Sequence, residues 1–414
     1  MRGDALEKPR LYLVAGEVSG DRLAADLVRA LKKRNPELEV FGVGGPMLRA
    51  AGQQQSFDLV RHAVVGLTDV LKNLPKFLMF FRQVKAEILR LKPDVVVLVD
   101  YPGFNLRLAK ALHRDNPPPA VLYYVSPQVW AWKAGRARVM ERILERLLVI
   151  FPFEVEWFAR EAPQLKVRWV GHPLADRWIR QGGKNRPVAP ELPCIALLPG
   201  SRPKEIARHW PLLLETATWI AREQRPVSFV TLATGPEMRQ QLEEEWARHP
   251  TSGVNLDIVS GQSLTLLNRC TMAIVASGTA TLECAMAGLP MLVIYKTSWF
   301  TYLLGRMVVK LPYLSMVNVL AGEKVVPEFL QAAATPERLT MAALQILRNP
   351  RGTETMTRRI QEVAEKLGGP GAAERAAEQV EEAIRLRRAL VVAAEERVRD
   401  REEGVGAGTK GTKG

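Results

Sequence analysis

One segment of the chain joins an apolar run to a turn of small residues and then to the start of a helix. The turn consists of Ser277, Gly278 and Thr279. Small residues at this point let an anionic group approach free backbone N–H groups at a helix N-terminus, where the helix dipole favours negative charge. Glu283 misses the capping-box spacing from this turn and from Thr281, which leaves its carboxylate available for a sugar diol. The alternative is an ordinary strand-to-helix turn with a Glu stabilised by the dipole.

A second turn with the same chemistry occurs near the middle of the chain. Gly200 and Ser201 follow an apolar run, and Pro203 suits the first turn of a helix. Arg202 then lies beside a helix N-terminus, where its guanidinium matches the oxygens of a diphosphate. The alternative for Arg202 is a surface ion pair with Glu205.

Asp100 follows the strongly apolar run Val95–Val99. A half-shielded carboxylate at the end of a strand can accept a proton from a hydroxyl nucleophile, which is the task of a general base in sugar transfer. A capping role for Asp100 is less favoured, because Pro102 and Gly103 separate it from the helix that Asn105 is better placed to cap.

Two further strand ends carry polar side chains. Glu17 and Ser19 could form hydrogen bonds to sugar hydroxyls, although Ser19 or Asp21 could instead cap the following helix. The spacing of a dinucleotide fingerprint is absent from this turn, which disfavours NAD. His172 is either a ligand contact or a structural hydrogen-bonding residue.

Residues 66–81 carry nine large apolar side chains around only two lysines. The stretch is too short and too charged to span a bilayer. It could lie at a membrane interface or line an acyl pocket, with Leu67, Phe77, Phe80 and Phe81 as contacts, or it could be buried in a core.

The charge of the chain narrows the choice of partners. The net charge is +14, and residues 29–92 contain twelve basic and five acidic side chains. Such a surplus attracts nucleic acid, anionic lipid or a phosphorylated substrate. Nucleic acid is disfavoured, because no recognition helix, zinc spacing or stacking-sheet motif is present.

The cysteines and the N-terminus indicate the compartment. The three cysteines, Cys194, Cys270 and Cys284, are widely spaced and odd in number, which favours a reducing compartment and argues against zinc or a disulfide framework. Because no signal peptide or spanning helix is recognisable, we expect a cytoplasmic protein.

Short apolar runs alternate with helical patterns along most of the 414 residues, which predicts an α/β protein with parallel sheets. Two such domains facing a cleft could hold two substrates beyond the carboxyl ends of their strands. The expected organisation is a first domain at 1–181, a linker at 182–193, a second domain at 194–350, helices at 351–403 and a disordered tail at 404–414.

Several strings in this order resemble the lipid-A-disaccharide synthase family over roughly residues 10–350. They are Ala15–Asp21, Val65–Leu67, Asp94–Asn105, Tyr124–Lys133, Gly171–Pro173, Leu198–Ile206, Ser277–Glu283 and Ser315–Gly322. The resemblance implies the glycosyltransferase B architecture of two Rossmann-like domains, with no metal and no cofactor.

The resemblance also implies a reaction. The family joins UDP-2,3-diacylglucosamine to 2,3-diacylglucosamine 1-phosphate at the inner face of the membrane, forming a β-1,6 link and releasing UDP. It makes Asp100 the base for the acceptor 6-hydroxyl, assigns UDP to Arg202, Ser277–Thr281 and Glu283, and puts Glu17 and Asn318 in the cleft. The oligomeric state is open, with a homodimer as one option.

Two other kinds of enzyme that bind a UDP-sugar are alternatives to this family. They are another UDP-sugar glycosyltransferase, such as the one that makes peptidoglycan lipid II, and a UDP-sugar epimerase of the same architecture. A basic nucleic-acid-binding protein is the alternative from a different class.

Overall fold

The computed structural model describes residues 8–62, 74–182, 192–249, 253–261, 266–298 and 312–408. Their contacts divide the chain into two compact units. The first unit runs to Gly171 and includes the residues from Gly371 onwards, and the second is His172–Pro370. Each contains one parallel sheet with helices as crossovers, as expected from the alternating sequence.

The sheet of the first unit has the order β3-β2-β1-β4-β5-β6-β7, and all its described pairings are parallel. Its strands are β1 (Arg10–Ala15), β2 (Glu39–Gly44), β3 (Gln54–Asp58), β4 (Val95–Val99), β5 (Ala120–Tyr124), β6 (Arg146–Val149) and β7 (Val167–Trp169).

The central strand β4 is buried on both faces, which is why its sequence is continuously apolar. Its alternate residues belong to two different apolar clusters. Val95, Val97 and Val99 belong to one cluster, while Val96 and Leu98 belong to the other.

The sheet of the second unit has the order β10-β9-β8-β11-β12-β13. Its strands are β8 (Cys194–Leu198), β9 (Ser228–Ala233), β10 (Asn255–Ser260), β11 (Met272–Ala276), β12 (Met291–Tyr295) and β13 (Glu328–Leu330). Cys270 and Cys284 are buried, Cys194 is half-buried, and all three have free thiols.

The described helices fall into two sets. The helices of the first unit are α1 (Val18–Arg34), α2 (Pro46–Ala50), α3 (Leu59–His62), α4 (Leu74–Leu91), α5 (Pro102–Leu112), α6 (Arg136–Ile143), α7 (Pro152–Glu161) and α15 (Ala372–Gly408). Those of the second unit are α8 (Pro173–Arg180), α9 (Pro203–Glu223), α10 (Pro236–Arg248), α11 (Thr279–Met286), α12 (Met316–Ala321), α13 (Pro336–Arg348) and α14 (Pro350–Glu365). Within the described ranges, no helix combines the length and the apolar character needed to cross a membrane.

The division of the chain differs from the predicted linker at 182–193, of which residues 183–191 lie outside the described residues. Helix α8 belongs to the second unit, because it packs against α11 and because the His172 N–H donates to the Leu367 carbonyl at 2.8 Å.

The C-terminal helix also departs from the predicted organisation. Helix α15 belongs to the first unit, where Ala376, Ala377 and Val380 join the apolar cluster beside α1. Arg146, whose side chain is only 3% exposed, pairs with Glu382 at 2.8 Å and anchors this helix to β6. The helix ends at Gly408 and so includes part of the segment predicted to be disordered, while 409–414 lie outside the described residues.

Each sheet has one topological switch point, where the order of the strands reverses. It lies between β1 and β4 in the first sheet and between β8 and β11 in the second. Ligands of open α/β sheets bind beyond the carboxyl ends of the strands at such points. The turns that contain Glu17, Asp100, Arg202 and Ser277 follow these four strands.

Candidate functional site

The chain makes a sharp turn after β4. Asp100 and Tyr101 have φ angles of 47° and 49°, in the left-handed region that side chains other than glycine rarely adopt. Such strain persists only where surrounding contacts enforce it, and it concentrates at functional sites.

Two buried side chains hold this turn through the main-chain carbonyl of Asp100. The Tyr123 hydroxyl donates to it at 2.5 Å, and the Asn105 Nδ2 donates to it at 2.7 Å. Asn105 Nδ2 also donates to the Val99 carbonyl at 3.2 Å. Asn105 was expected to cap a helix, but it lies inside α5, fully buried, and binds the end of the preceding strand.

The carboxyl group of Asp100 is suited to accept a proton. Burial raises its pKa above the ordinary value of an aspartate, and a hydrogen bond from the Tyr101 backbone only partly offsets this. A carboxylate whose pKa is raised towards the working pH is a stronger base while it remains ionised.

Glu17 and Ser19 lie at the start of α1, after β1, and both are exposed. Burial raises the pKa of Tyr101 and of Tyr123, and the charge of Glu17 raises both further, after that of Asp100 in the case of Tyr123. The Tyr101 ring lies 2.2 Å from the position that a Cβ on Gly16 would occupy, so glycine is required there. The structure therefore brings the ends of β1, β4 and β5 together, as their pairing requires.

The buried acid Glu154, which lies next to Trp130, was not predicted from the sequence. Glu154 is 1% exposed and accepts hydrogen bonds from Trp130 Nε1 at 3.1 Å and from the Phe151 N–H at 3.1 Å. Burial raises its pKa to about 7 despite these hydrogen bonds. Its place in the first turn of α7 was the only signal in the sequence, and such a residue is normally an exposed cap.

In the second unit, the turn after β11 is open to an anion. Gly278 and Thr279 are exposed, and in the described part of the chain no side chain caps α11. The first N–H groups of a helix have no partner in a preceding helical turn. The Thr281 N–H donates to the Gly278 carbonyl at 3.1 Å, so among the described residues the N–H groups of Thr279 and Ala280 are left for an anion. Ser277 Oγ donates to the Leu314 carbonyl at 3.2 Å. The buried Thr281 hydroxyl donates to the Gly278 carbonyl at 2.7 Å and stabilises the turn.

The turn after β8 is already occupied by a side chain. Glu205 Oε2 accepts from the backbone N–H groups of Ser201 and Arg202 at 3.2 and 3.3 Å. Arg202 Nη1 lies 3.2 Å from Glu205 Oε1, and its side chain is 72% exposed. A Cβ on Gly200 would lie 2.5 Å from the same carboxylate. Of the two turns, the one after β11 is therefore the better phosphate site.

Glu283 was expected to be free for a ligand, but it has a protein partner. Arg177 Nη2 in α8 donates to Glu283 Oε1, and the two side chains are 25% and 14% exposed. Among the described residues this is the only hydrogen bond of the Glu283 carboxylate, so its second oxygen is left for another donor. Arg177 was missed because 106 positions separate it from Glu283.

Asn318, which was expected in the cleft, and His172, for which a ligand contact and a structural role were both open, form hydrogen bonds within the protein. Asn318 is fully buried and uses all four hydrogen-bonding positions of its amide, because it donates to Val326 and Glu328 and accepts from the N–H groups of Val325 and Val326. His172 is 8% exposed, and its Nδ1 accepts from the Leu174 N–H at 3.1 Å as the cap of α8.

The burial of His172 predicts an acid-sensitive stability. Burial, with a contribution from Arg177, lowers its pKa to about 4, whereas an unfolded histidine titrates near about 6.5. Between these values the unfolded chain binds more protons, so stability falls as the pH falls, by about 3 kcal/mol in all from this residue.

His172→Asn replaces the capping Nδ1 with an amide oxygen and removes the titration, so the dependence of unfolding free energy on pH between about 4 and 6.5 should flatten. Urea unfolding of the wild type and of His172→Asn at several pH values measures this pH dependence. An unchanged slope would contradict the assignment of His172 as a buried, neutral cap.

The apolar helix α4 has a buried and an exposed side. Phe77 and Phe81 are half-buried and make edge contacts with Phe104, at 5.3 and 5.7 Å between ring centroids, and Phe80 stacks on Phe57. These aromatic residues, predicted as membrane contacts, therefore pack largely within the unit. Among the side chains of α4 that the structure describes, the exposed large apolar ones are Leu78, Met79 and Leu89, and Leu67 lies outside the described residues.

No group of three or more His, Cys, Asp or Glu side chains in the described ranges is arranged to hold a metal ion.

Comparison with solved structures identifies the architecture. The S. aureus MnaA protein with UDP superposes with a TM-score of 0.62 at 12% identity, covering 91% of this chain and 97% of that one. CalG4, the calicheamicin glycosyltransferase, superposes with a TM-score of 0.54 at 16% identity, covering 92% and 99%. The fold is the glycosyltransferase B architecture with two Rossmann-like units, as the resemblance implied.

Sequence comparison identifies the family. The model of the lipid-A-disaccharide synthetase family matches residues 11–384. The lipid-A-disaccharide synthase of Syntrophus aciditrophicus is 40% identical over 379 residues, which are 89% of this chain and 96% of that protein. The chain therefore belongs to the lipid-A-disaccharide synthetase family, and it is a glycosyltransferase enzyme of lipid A disaccharide synthesis. The family expected from the sequence motifs is therefore confirmed, and it is favoured over the epimerase and the nucleic-acid-binding protein.

Proposed function

We propose that the enzyme transfers diacylglucosamine from UDP-2,3-diacylglucosamine to the 6-hydroxyl of 2,3-diacylglucosamine 1-phosphate, with inversion at the anomeric carbon. One observation carries the proposal. The switch point of the first sheet presents a shielded carboxylate, and that of the second presents an open helix N-terminus beside a glutamate. These groups support the proposal because the reaction needs a base and contacts to a diphosphate and a ribose.

In the proposed mechanism, the carboxylate of Asp100 accepts the proton of the acceptor 6-hydroxyl as the oxygen attacks the anomeric carbon. The bond from that carbon to the UDP oxygen breaks, and its electron pair stays on the β-phosphate. Attack from the face opposite UDP turns an α-linked donor into a β-1,6 product.

The leaving UDP is stabilised by the second unit. The N–H groups at the start of α11 and the positive end of its dipole face the growing charge on the diphosphate, which costs no reorganisation during the reaction. Glu283 accepts from a ribose hydroxyl through the oxygen that Arg177 leaves unused. Arg202 is exposed, so it can release Glu205 and turn to the diphosphate.

Mass spectrometry of the reaction products tests this function. Purified enzyme with both acylated substrates should yield the disaccharide 1-phosphate and UDP, with or without EDTA. Unacylated UDP-N-acetylglucosamine should yield no disaccharide. Formation of an epimerised UDP-sugar, or dependence on a chelatable metal, would contradict the proposal.

We further propose that α4 docks the enzyme on the anionic inner leaflet, which would place it at the cytoplasmic face of the membrane. Leu78 and Met79 are 43% and 47% exposed. The exposed Lys76 and Arg82 lie about one helical turn from them on α4, and the exposed Arg107 of α5 lies over the Phe77 ring. Apolar insertion next to basic side chains is the pattern of an interfacial helix.

Replacing Leu78 and Met79 together with Ser should weaken binding to anionic liposomes by about tenfold or more, since both lose apolar contact with the bilayer. Co-sedimentation measures binding. The matched control is a double Ser variant of Val391 and Val392, an adjacent helical pair that is 45% and 47% exposed in the same unit. Equal binding of both variants would exclude α4 as the docking element, and UDP binding should be unchanged in both.

A further inference from the structure

We propose that Tyr123 and Asn105 are positioning residues for the proton transfer, acting through the main-chain carbonyl of Asp100. The inference rests on the proposed function, in which the Asp100 carboxylate is the base. It adds that the direction of this carboxylate is set by two buried donors from separate elements, β5 and α5, that meet on a single oxygen.

The turn needs such support because two consecutive residues are left-handed and neither is glycine. Rotation of the Asp100–Tyr101 peptide towards an ordinary conformation would relieve the strain. It would also pull the Asp100 carbonyl away from the Tyr123 hydroxyl and from Asn105 Nδ2, which lie 2.5 and 2.7 Å from it. The two hydrogen bonds therefore oppose the rotation that would re-aim the carboxylate.

The orientation of the Asn105 amide supports the same conclusion. Its Nδ2 donates to the carbonyls of Val99 and Asp100, while its Oδ1 is buried without a hydrogen-bond partner among the described residues. A buried oxygen without a partner is unfavourable. We therefore infer that the two hydrogen bonds from Nδ2 to the carbonyls of Val99 and Asp100 fix the orientation of the amide. Both residues are fully buried, and neither side chain is placed to touch substrate.

The turn also links the ends of three neighbouring strands. The Tyr101 carbonyl accepts from the N–H groups of Phe104 and Asn105 and so begins α5. The Tyr101 ring covers Gly16 after β1, and the Asp100 N–H donates to the Tyr124 carbonyl of β5 at 3.0 Å. A shift at Asp100 is thereby coupled to the side of the site where Glu17 lies.

Tyr123→Phe tests the inference, because it removes one hydroxyl and keeps the ring. We expect kcat to fall by about 10- to 100-fold, the loss that a small misplacement of a reacting group causes, with the donor KM and the UDP Kd within about twofold of wild type. Tyr12→Phe is the matched control. Tyr12 is a fully buried tyrosine of the same apolar cluster. Its hydroxyl donates to Glu87 at 2.7 Å and makes no hydrogen bond to Asp100 among the described residues.

Asn105→Ala and the double variant with Tyr123→Phe test whether the two side chains act together on kcat. Asn105→Ala should lower kcat without raising the donor KM, and its combination with Tyr123→Phe should cost less than the product of the single effects, because both act on one carbonyl. If Asn105→Ala fails to fold, Tyr123→Phe alone decides.

Two outcomes separate this inference from the proposed function. Wild-type kcat in Tyr123→Phe, together with an inactive Asp100→Asn, would overturn the positioning role and leave the base assignment intact. Full activity in Asp100→Asn would overturn the base assignment itself. A loss of kcat in Tyr12→Phe equal to that in Tyr123→Phe would also overturn the positioning role, because it would reflect general loosening of the unit.

Discussion

Asp100→Asn is expected to lower kcat by about 10²–10⁴-fold while leaving UDP affinity nearly unchanged, because the carboxylate acts on the acceptor and the amide cannot accept its proton. The backbone of the turn should persist, since Tyr123 and Asn105 bind the main-chain carbonyl and not the side chain. Steady-state kinetics with saturating donor, and calorimetry with UDP, measure the two effects.

The matched control is Asp94→Asn at the opposite end of the same strand. The Asp94 carboxylate accepts from the Arg10 N–H at 2.7 Å and lies at the amino edge of the sheet, where no ligand is proposed. It should retain kcat. Equal activity of the two variants would remove Asp100 from the mechanism.

The pH profile gives a second check on this residue. A general base must be ionised, so kcat/KM should fall as the pH falls through the pKa of Asp100. Burial raises that pKa, which shifts the acid limb of the profile above the position expected for a solvent-exposed aspartate. An acid limb at the ordinary position would show that the carboxyl group is solvated during catalysis.

Glu283→Ala is expected to weaken UDP binding by about 1.5–3 kcal/mol, the cost of losing a charge-assisted hydrogen bond, which is roughly 10- to 100-fold in Kd. Arg202→Ala should cost less than this, because its side chain is 72% exposed and already paired with Glu205. Isothermal titration calorimetry with UDP measures both.

Arg177→Met separates the ribose contact from the ion pair. It removes the partner of Glu283 but keeps the carboxylate, so UDP affinity should change less than in Glu283→Ala. If Glu283→Ala left the affinity unchanged, the nucleotide would bind elsewhere in the unit. If Arg177→Met cost as much as Glu283→Ala, Glu283 would act only through the ion pair.

The strands that the sequence predicted best are those buried on both faces. The apolar run Val95–Val99, expected as the strand that precedes Asp100, has the same bounds as β4 in the structure. A strand in the middle of a parallel sheet must be apolar throughout, so its ends are visible as the ends of an apolar run.

Three strands were missed, β3, β7 and β13, and each lies at an edge of its sheet. Their residues are half-buried or exposed, and Gln54–Asp58 contains a single large apolar side chain. An edge strand is held by hydrogen bonds to one neighbour and needs no apolar run, so these three strands give no periodic signal in the sequence.

The sequence by itself determined that this is an α/β protein with polar turns after apolar strands, because such turns are local and carry their own chemistry. Residue type and position alone led to the proposal of Asp100, Gly278 and Thr279 as site residues. Only the tertiary structure decided which predicted residues are available to a ligand. Asn318 and His172 proved to be used by the protein, and Glu283 to be paired with Arg177, because hydrogen-bond partners far apart in the chain are brought together only by packing.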